Sequence, residues 1–362
     1  MIPIAKPSVG EDEASAAADI IRSGTIASGE EVSQFETEFS RFMGSRHSIA
    51  TSSGTAALHV ALLAAGISAG DEVIVPTFTF IATASAVSMC NATPVFADVD
   101  EKYYSLDPES TLEQINPRTR AIIPVHLFGQ PCDMKTLGEI CDDHHLLMIE
   151  DCAQAHGTRF EGTMTGSFGL SGCYSFYPTK NMTTGEGGMV TTQHDEYAQH
   201  VKRLINHGQA SKYSHTEIGY NYRLTNIGAV IGRIQLRKLP EFNRKRQENA
   251  AYYQKHITRK GIICPAIRRG CEHVFHQYAI RVLPECDLSR DQLTKALTHE
   301  GIGTAIHYPT PVHKQPVYQG KIKSSPAPVS IQLANEILSL PIWPGLTMDN
   351  LAFICKSINE AI

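Results

Sequence analysis

Short apolar runs alternate with stretches of helical periodicity over the first two thirds of the chain. Residues 72–77, 93–99, 121–127, 146–150, 172–176 and 188–192 leave no face free for water, which predicts strands covered on both sides. Between them, residues 55–65, 80–90, 134–145 and 196–205 carry the helical pattern, several closed by Gly or by a Pro-bearing turn. Strands that alternate with helices in this way predict an α/β fold with a largely parallel sheet. From Asn226 a long helical stretch runs to about His256, and Pro240 is expected to interrupt or kink it. Beyond it come a strand-like run at 274–282, a helix at 288–300 ended by Gly301, a Pro-rich loop and two short closing helices. The expected organisation is a large α/β unit over residues 1–240 and a smaller α+β unit over 241–362.

Composition narrows the function classes. With 42% hydrophobic and 19% charged residues over 362 positions, the chain has the apolar content for a large core. Lys+Arg 32 against Asp+Glu 37 gives a net charge of −5, the wrong sign for a partner built of phosphate backbone or anionic lipid. The densest basic stretch, Arg233 to Arg246, has helical spacing and reads as a solvated face. The nine cysteines show no CxxC pair and no zinc-ligand spacing, so no metal is expected and the thiols read as reduced, in a cytoplasmic protein. Residues 1–10 have no apolar signal core, and nowhere do 18 apolar residues run together, so neither secretion nor a membrane span is expected.

Dinucleotide, P-loop and HExxH signatures are absent. Gly66-Ile67-Ser68-Ala69-Gly70 matches GxSxG, but a helical stretch precedes it and a strand follows, the reverse of a nucleophile elbow, so Ser68 reads as a turn residue. The sharper feature is a set of polar residues at the expected carboxyl ends of strands, where open α/β sheets place ligands. Ser53, Gly54 and Thr55 precede a helix, a cradle for a dianionic phosphate. The strand at 146–150 runs into Asp151, with Gln154 three residues on: a carboxylate for a protonated ring nitrogen and an amide for a ring hydroxyl. Ser175 leads through Pro178 to Lys180 and a glycine-dense segment, a setting that desolvates an amine for Schiff-base chemistry. Phe80 opens a helix where its ring would stack on a flat cofactor. Together these describe a site for pyridoxal 5′-phosphate.

Five ordered blocks carry a wider likeness: SGTAAL at 53–58, PTFTFIAT at 76–83, EDCAQAHG at 150–157, SFYPTKN at 175–181 and GYNYRL at 219–224. They resemble the DegT/DnrJ/EryC1/StrS family of sugar aminotransferases over nearly the whole chain. The resemblance implies the aspartate-aminotransferase fold, fold type I, and a homodimer with active sites shared at the subunit interface. It implies Lys180 as Schiff-base lysine, Asp151 as partner of the pyridine nitrogen, Gln154 near the 3′-hydroxyl and Phe80 as stacking ring. Ser53, Gly54, Thr55 and Ser175 would hold the phosphate, joined by Asn221 of the other subunit. Glu186, His307, Tyr308 and His313 would face the substrate. L-glutamate, leaving as 2-oxoglutarate, would donate the amino group to a nucleotide-linked ketosugar through pyridoxamine 5′-phosphate. The segment 183–188 looks more like enzymes that aminate C4 than C3. A dehydratase on the same scaffold carries His at the lysine position, which Lys180 disfavours. A nicotinamide-dependent dehydrogenase lacks its fingerprint here, and a non-catalytic, cofactor-binding regulator is the remaining alternative.

Overall fold

The computed structural model describes residues 1–320, 322 and 326–362. In chain order its elements begin with α1 (Glu11–Ser23), α2 (Glu30–Met43), β1 (His47–Thr51), α3 (Gly54–Ala64), β2 (Glu72–Pro76), α4 (Ala82–Met89), β3 (Thr93–Ala97), α5 (Pro108–Gln114), β4 (Thr119–Ile122), α6 (Met134–His144) and β5 (Leu147–Asp151). They continue with β6 (Arg159–Phe160), β7 (Thr163–Met164), β8 (Ser171–Ser175), β9 (Gly188–Thr192), α7 (Asp195–Leu204), β10 (Gln209–Ser211), β11 (Ser214–His215) and α8 (Asn226–His256). The chain closes with β12 (Ile262–Ile263), β13 (Cys271–Glu272), β14 (Tyr278–Val282), α9 (Arg290–His299), α10 (Pro328–Glu336), β15 (Ile337–Leu340) and α11 (Met348–Glu360).

Seven strands form the main sheet in the order β1-β9-β8-β5-β4-β2-β3, with β9 antiparallel to both neighbours and the remaining pairings parallel. Apolar side chains bury both of its faces, one under α3, α4 and α7, where Leu58, Leu62, Val87 and Val201 pack on Ile49, Val73 and Ile149. This is why the strands read as continuous apolar runs rather than alternating ones. Because β1, β8, β5, β4, β2 and β3 run the same way, their carboxyl ends share one edge, and the loops that follow them meet there.

A second core lies around the three-stranded sheet β12-β14-β15, where Ile280, Leu338 and Leu340 pack with Leu293, Ile354 and Tyr253. Helix α8 serves both cores, with Leu236 and Leu239 buried in the first and Ala250 and Tyr253 in the second. Pro240 does not interrupt the helix: α8 runs as one element of 31 residues to His256, the end expected from the sequence. Proline removes one N–H and crowds the carbonyl four residues back. Tertiary contacts hold the helix on either side: Arg233 pairs with Glu31 and Glu38, Lys238 with Glu13, and Asn243 bonds Asn181. The strand-like run at 274–282 contracts to β14, and the closing segment contains the strand β15 between two helices. The helix expected from Phe80 starts two residues later, at Ala82.

Among the described residues no helix is long and apolar enough to cross a membrane.

Candidate active site

At the carboxyl edge of the main sheet a cleft of about 480 Å³ opens between the two cores. Each of its walls follows from local sequence. Helix α3 starts beside β1, with Ser53 as its cap, the hydroxyl accepting from Ala56 N–H at 3.1 Å. The N–H groups of its first turn have no intrahelical acceptor, and the Gly54–Thr55 end lines the cleft, an arrangement suited to an anion. Ser175, the last residue of β8, lies against it. A Cβ placed on Gly54 would sit 2.6 Å from the Ser175 Cβ, so the cradle is closed to side chains. Gly188 is as tightly placed, its hypothetical Cβ 2.4 Å from the Ser53 carbonyl oxygen.

Asp151 ends β5, with its carboxylate turned to the cleft. It accepts from the Thr83 hydroxyl at 2.8 Å and from Ala153 N–H at 3.1 Å. Burial raises its pKa, while those two donors, Lys180 and His126 pull the other way. Gln154 is held in one orientation, its Oε1 accepting from Phe128 N–H at 2.7 Å and its Nε2 donating to the Tyr308 hydroxyl at 3.1 Å. Behind Asp151, Glu150 accepts from the N–H groups of Gly166, Phe168 and Gly169 and from His126 Nε2 at 3.0 Å. The donor atoms of His126, Glu150 and Cys152 converge within 4.8 Å, yet both Glu150 oxygens are already committed to these partners.

Lys180 follows β8 through the turn at Pro178, its N–H bonded to the Tyr177 carbonyl. Desolvation lowers its amine to about 8, with the Asp151 charge opposing. Burial also lowers two neighbouring imidazoles, His156 to about 3 and His307 to about 4, and the Lys180 charge adds to both shifts. The amine therefore sits among neutral rings, with the Asp151 carboxylate acting on it.

Eleven of the thirteen expected site residues line this cleft: Ser53, Gly54, Thr55, Phe80, Asp151, Gln154, Ser175, Lys180, Glu186, His307 and Tyr308. Phe80 is 55% exposed at the rim, its ring centroid 6.1 Å from that of Tyr308. The other two lie elsewhere. His313 is buried beneath β2 and β3, with Nδ1 2.5 Å from the Thr77 hydroxyl and its ring against Phe96, which corrects the expectation that it faces the cleft. Asn221 is exposed and bridged to Asn206, outside the cleft of its own chain. Thr83, His276 and Gln277 line the cleft without having been singled out. Thr83 carried a signal, a hydroxyl one helical turn after Phe80; His276-Gln277 carried another, a polar pair inside an apolar run.

The family model described as the DegT/DnrJ/EryC1/StrS aminotransferase family matches residues 7–359. The chain belongs to this family. A relative from Acidithiobacillus ferrooxidans, named UDP-N-acetyl-3-dehydro-alpha-D-glucosamine 3-aminotransferase, is 41% identical over 95% of this chain and 92% of its own. GDP-perosamine synthase from Vibrio cholerae is 36% identical over 99% of both chains. The putative sugar aminotransferase Spr1654 from Streptococcus pneumoniae has been solved in PLP and PMP forms. At 26% and 25% identity these superpose with TM-scores of 0.93 and 0.94, over 99% of this chain and 97% and 98% of theirs. This family member is accordingly a pyridoxal-phosphate-dependent enzyme of the transaminase class, with the α/β fold of those enzymes.

The cleft fits that cofactor. The closed Gly54–Ser175 cradle offers N–H groups and hydroxyls to a phosphate, the end of β5 offers a carboxylate to a ring nitrogen, and Lys180 offers an amine of lowered basicity.

Proposed function

We propose that this enzyme transfers the amino group of L-glutamate to a nucleotide-linked ketosugar, at C4 of a 4-keto-6-deoxy sugar. The observation that carries the chemistry is the placement of Lys180 and Asp151 in one cleft with the α3 terminus. Bound pyridoxal 5′-phosphate supplies an electron sink for charge developing at the substrate carbon. Lys180 would hold the cofactor through Nζ, and its free amine would serve as the base that takes the donor's Cα proton. Near pH 7 an amine lowered to about 8 is neutral often enough to act as this base. Asp151, locked by Thr83 and Ala153, keeps a proton on the ring nitrogen. Gln154 is oriented by Phe128 and Tyr308 to address a ring hydroxyl. Ser53, Gly54, Thr55 and Ser175 would hold the phosphate, Phe80 would stack on the ring, and Glu186, His307 and Tyr308 would face the sugar. In the second half of the transfer Lys180 delivers a proton to the sugar carbon that receives nitrogen.

Two further elements belong to the same reading. The protein works as a homodimer in which Asn221, exposed on its own chain, completes the phosphate site of the second copy. The sugar is activated by a nucleotide, as the names of the two relatives have it for theirs.

The test is product analysis. The cofactor-loaded enzyme receives L-glutamate and, separately, UDP-N-acetyl-3-dehydro-α-D-glucosamine and the GDP-, UDP- and dTDP-linked 4-keto-6-deoxy sugars. The expected result is stoichiometric 2-oxoglutarate and a product whose NMR spectrum places nitrogen at C4. Nitrogen at C3, the position in the name of the Acidithiobacillus relative, overturns the regiochemistry. Undiminished turnover by Lys180→Ala overturns the mechanism.

A further inference from the structure

His276 reaches the cleft from the segment just before β14 and is only 4% exposed. A chain of amides fixes which of its ring nitrogens carries hydrogen. Asn243 Nδ2 donates to the His156 carbonyl at 2.8 Å, which leaves Asn243 Oδ1 as the acceptor for Asn181 Nδ2, also at 2.8 Å. Asn181 Nδ2 donates as well to the Val274 carbonyl at 3.1 Å, so the Asn181 amide has one orientation and its Oδ1 accepts. That oxygen lies 3.3 Å from His276 Nδ1, which therefore bears the hydrogen. The lone pair is left on Nε2, which has no hydrogen-bond partner among the described residues and is not sealed from solvent. Burial disfavours the imidazolium, as do the charges of Lys180 and Arg246. Nε2 is thus a fixed acceptor in a cleft that Lys180 also lines.

We propose that His276 Nε2 accepts a hydrogen bond from a hydroxyl of the acceptor sugar and so helps to determine substrate specificity. The assignment rests on the ketosugar reading above. An acceptor needs a donor opposite it. The carboxylates of an amino acid offer none at neutral pH, and its amine is engaged at the cofactor, whereas sugar hydroxyls are O–H donors. The amide chain from α8 through Asn181 ties this acceptor to the residue next to Lys180, so a bound hydroxyl and the reacting amine share one rigid frame.

The experiment compares His276→Asn, whose amide reaches about as far as Nδ1, with His276→Gln, whose amide reaches about as far as Nε2. Single-turnover rates are measured separately for the L-glutamate phase and the sugar phase, using whichever member of the sugar panel wild-type enzyme turns over. In His276→Asn the ratio of sugar-phase to glutamate-phase rate constants is expected to fall about tenfold, the scale of one lost hydrogen bond. In His276→Gln it stays within about threefold of wild type. Calorimetric titration of the same sugar nucleotide into each variant in its pyridoxal form, without amino donor, should give the same order of affinities. Equal loss in both phases, or a better-preserved ratio in His276→Asn than in His276→Gln, overturns the proposal in favour of a role in holding Asn181. A wild-type enzyme that completes the glutamate phase but accepts no sugar of the panel defeats the substrate class and this assignment with it, whereas an altered ratio order on a sugar that is accepted defeats the assignment alone.

Discussion

The amine of Lys180 should titrate far below an ordinary lysine even before any cofactor binds. The structure lowers it from 10.5 to about 8, by desolvation that the Asp151 carboxylate opposes. At pH 7 an amine of pKa about 8 is about 10% neutral, against about 0.03% at 10.5, so the reactive form is enriched about 300-fold. Competitive acetylation of the cofactor-free protein across pH 6 to 11, read by mass spectrometry of the Lys180 peptide, measures the midpoint directly. The expected midpoint is about 8. Asp151→Asn removes the charge that holds it up, so in that variant the midpoint moves lower still. The shift has a stability consequence whose sign is fixed. Between about 8 and 10.5 the unfolded chain binds a proton at Lys180 that the folded chain has released, so stability rises with pH across that window. Lys180→Met, measured in parallel, should lack this increment. A midpoint near 10.5, or an upward move in Asp151→Asn, refutes the reasoning.

Three further outcomes follow from packing and charge. Gly54→Ala forces a Cβ to within 2.6 Å of Ser175 Cβ and 3.2 Å of its Cα, and should cost about 1–3 kcal/mol in urea unfolding while weakening cofactor uptake in a fluorescence titration. Glu150→Gln cannot accept all four of its present hydrogen bonds as an anion, and should lose about 3 kcal/mol by the same unfolding measurement. Arg281→Ala leaves buried Glu336 without its ion-pair partner and cuts the link to Glu101, for an expected loss of about 3–5 kcal/mol; a loss under 1 kcal/mol in thermal unfolding would count against that bridge.

The strands of the large sheet were legible because burial on both faces writes apolar runs, and the residues at their ends were legible because chemistry-bearing types stand out against such runs. Lys180, Asp151 and the Ser53–Thr55 turn were found in this way, and the cleft brings them together. The extent of α8 was legible, and Pro240 does not interrupt it because local propensity is weaker than the packing of α8 on α1 and α2, fixed by Arg233, Gln235 and Lys238. β15 was hidden because four residues, Ile337–Leu340, show too little periodicity to separate a strand from the end of a helix. His313 followed the family pattern in sequence, but in space its ring is sealed against Thr77 and Phe96. His276 showed in the sequence only as half of a polar pair in an apolar run; the role proposed for it depends on which nitrogen is free, and that is set by Asn181 and Asn243, far from it in the chain.

The central claim, that Lys180 carries the cofactor and releases it to an amino donor, is tested most directly by the visible absorption spectrum of the purified protein before and after L-glutamate, with borohydride reduction and peptide mapping. The account predicts a yellow protein that bleaches on addition of glutamate, and a reduced pyridoxyl adduct on Lys180 when borohydride is added first. A protein that stays colourless after incubation with pyridoxal 5′-phosphate, or an adduct that maps to another lysine, would contradict it.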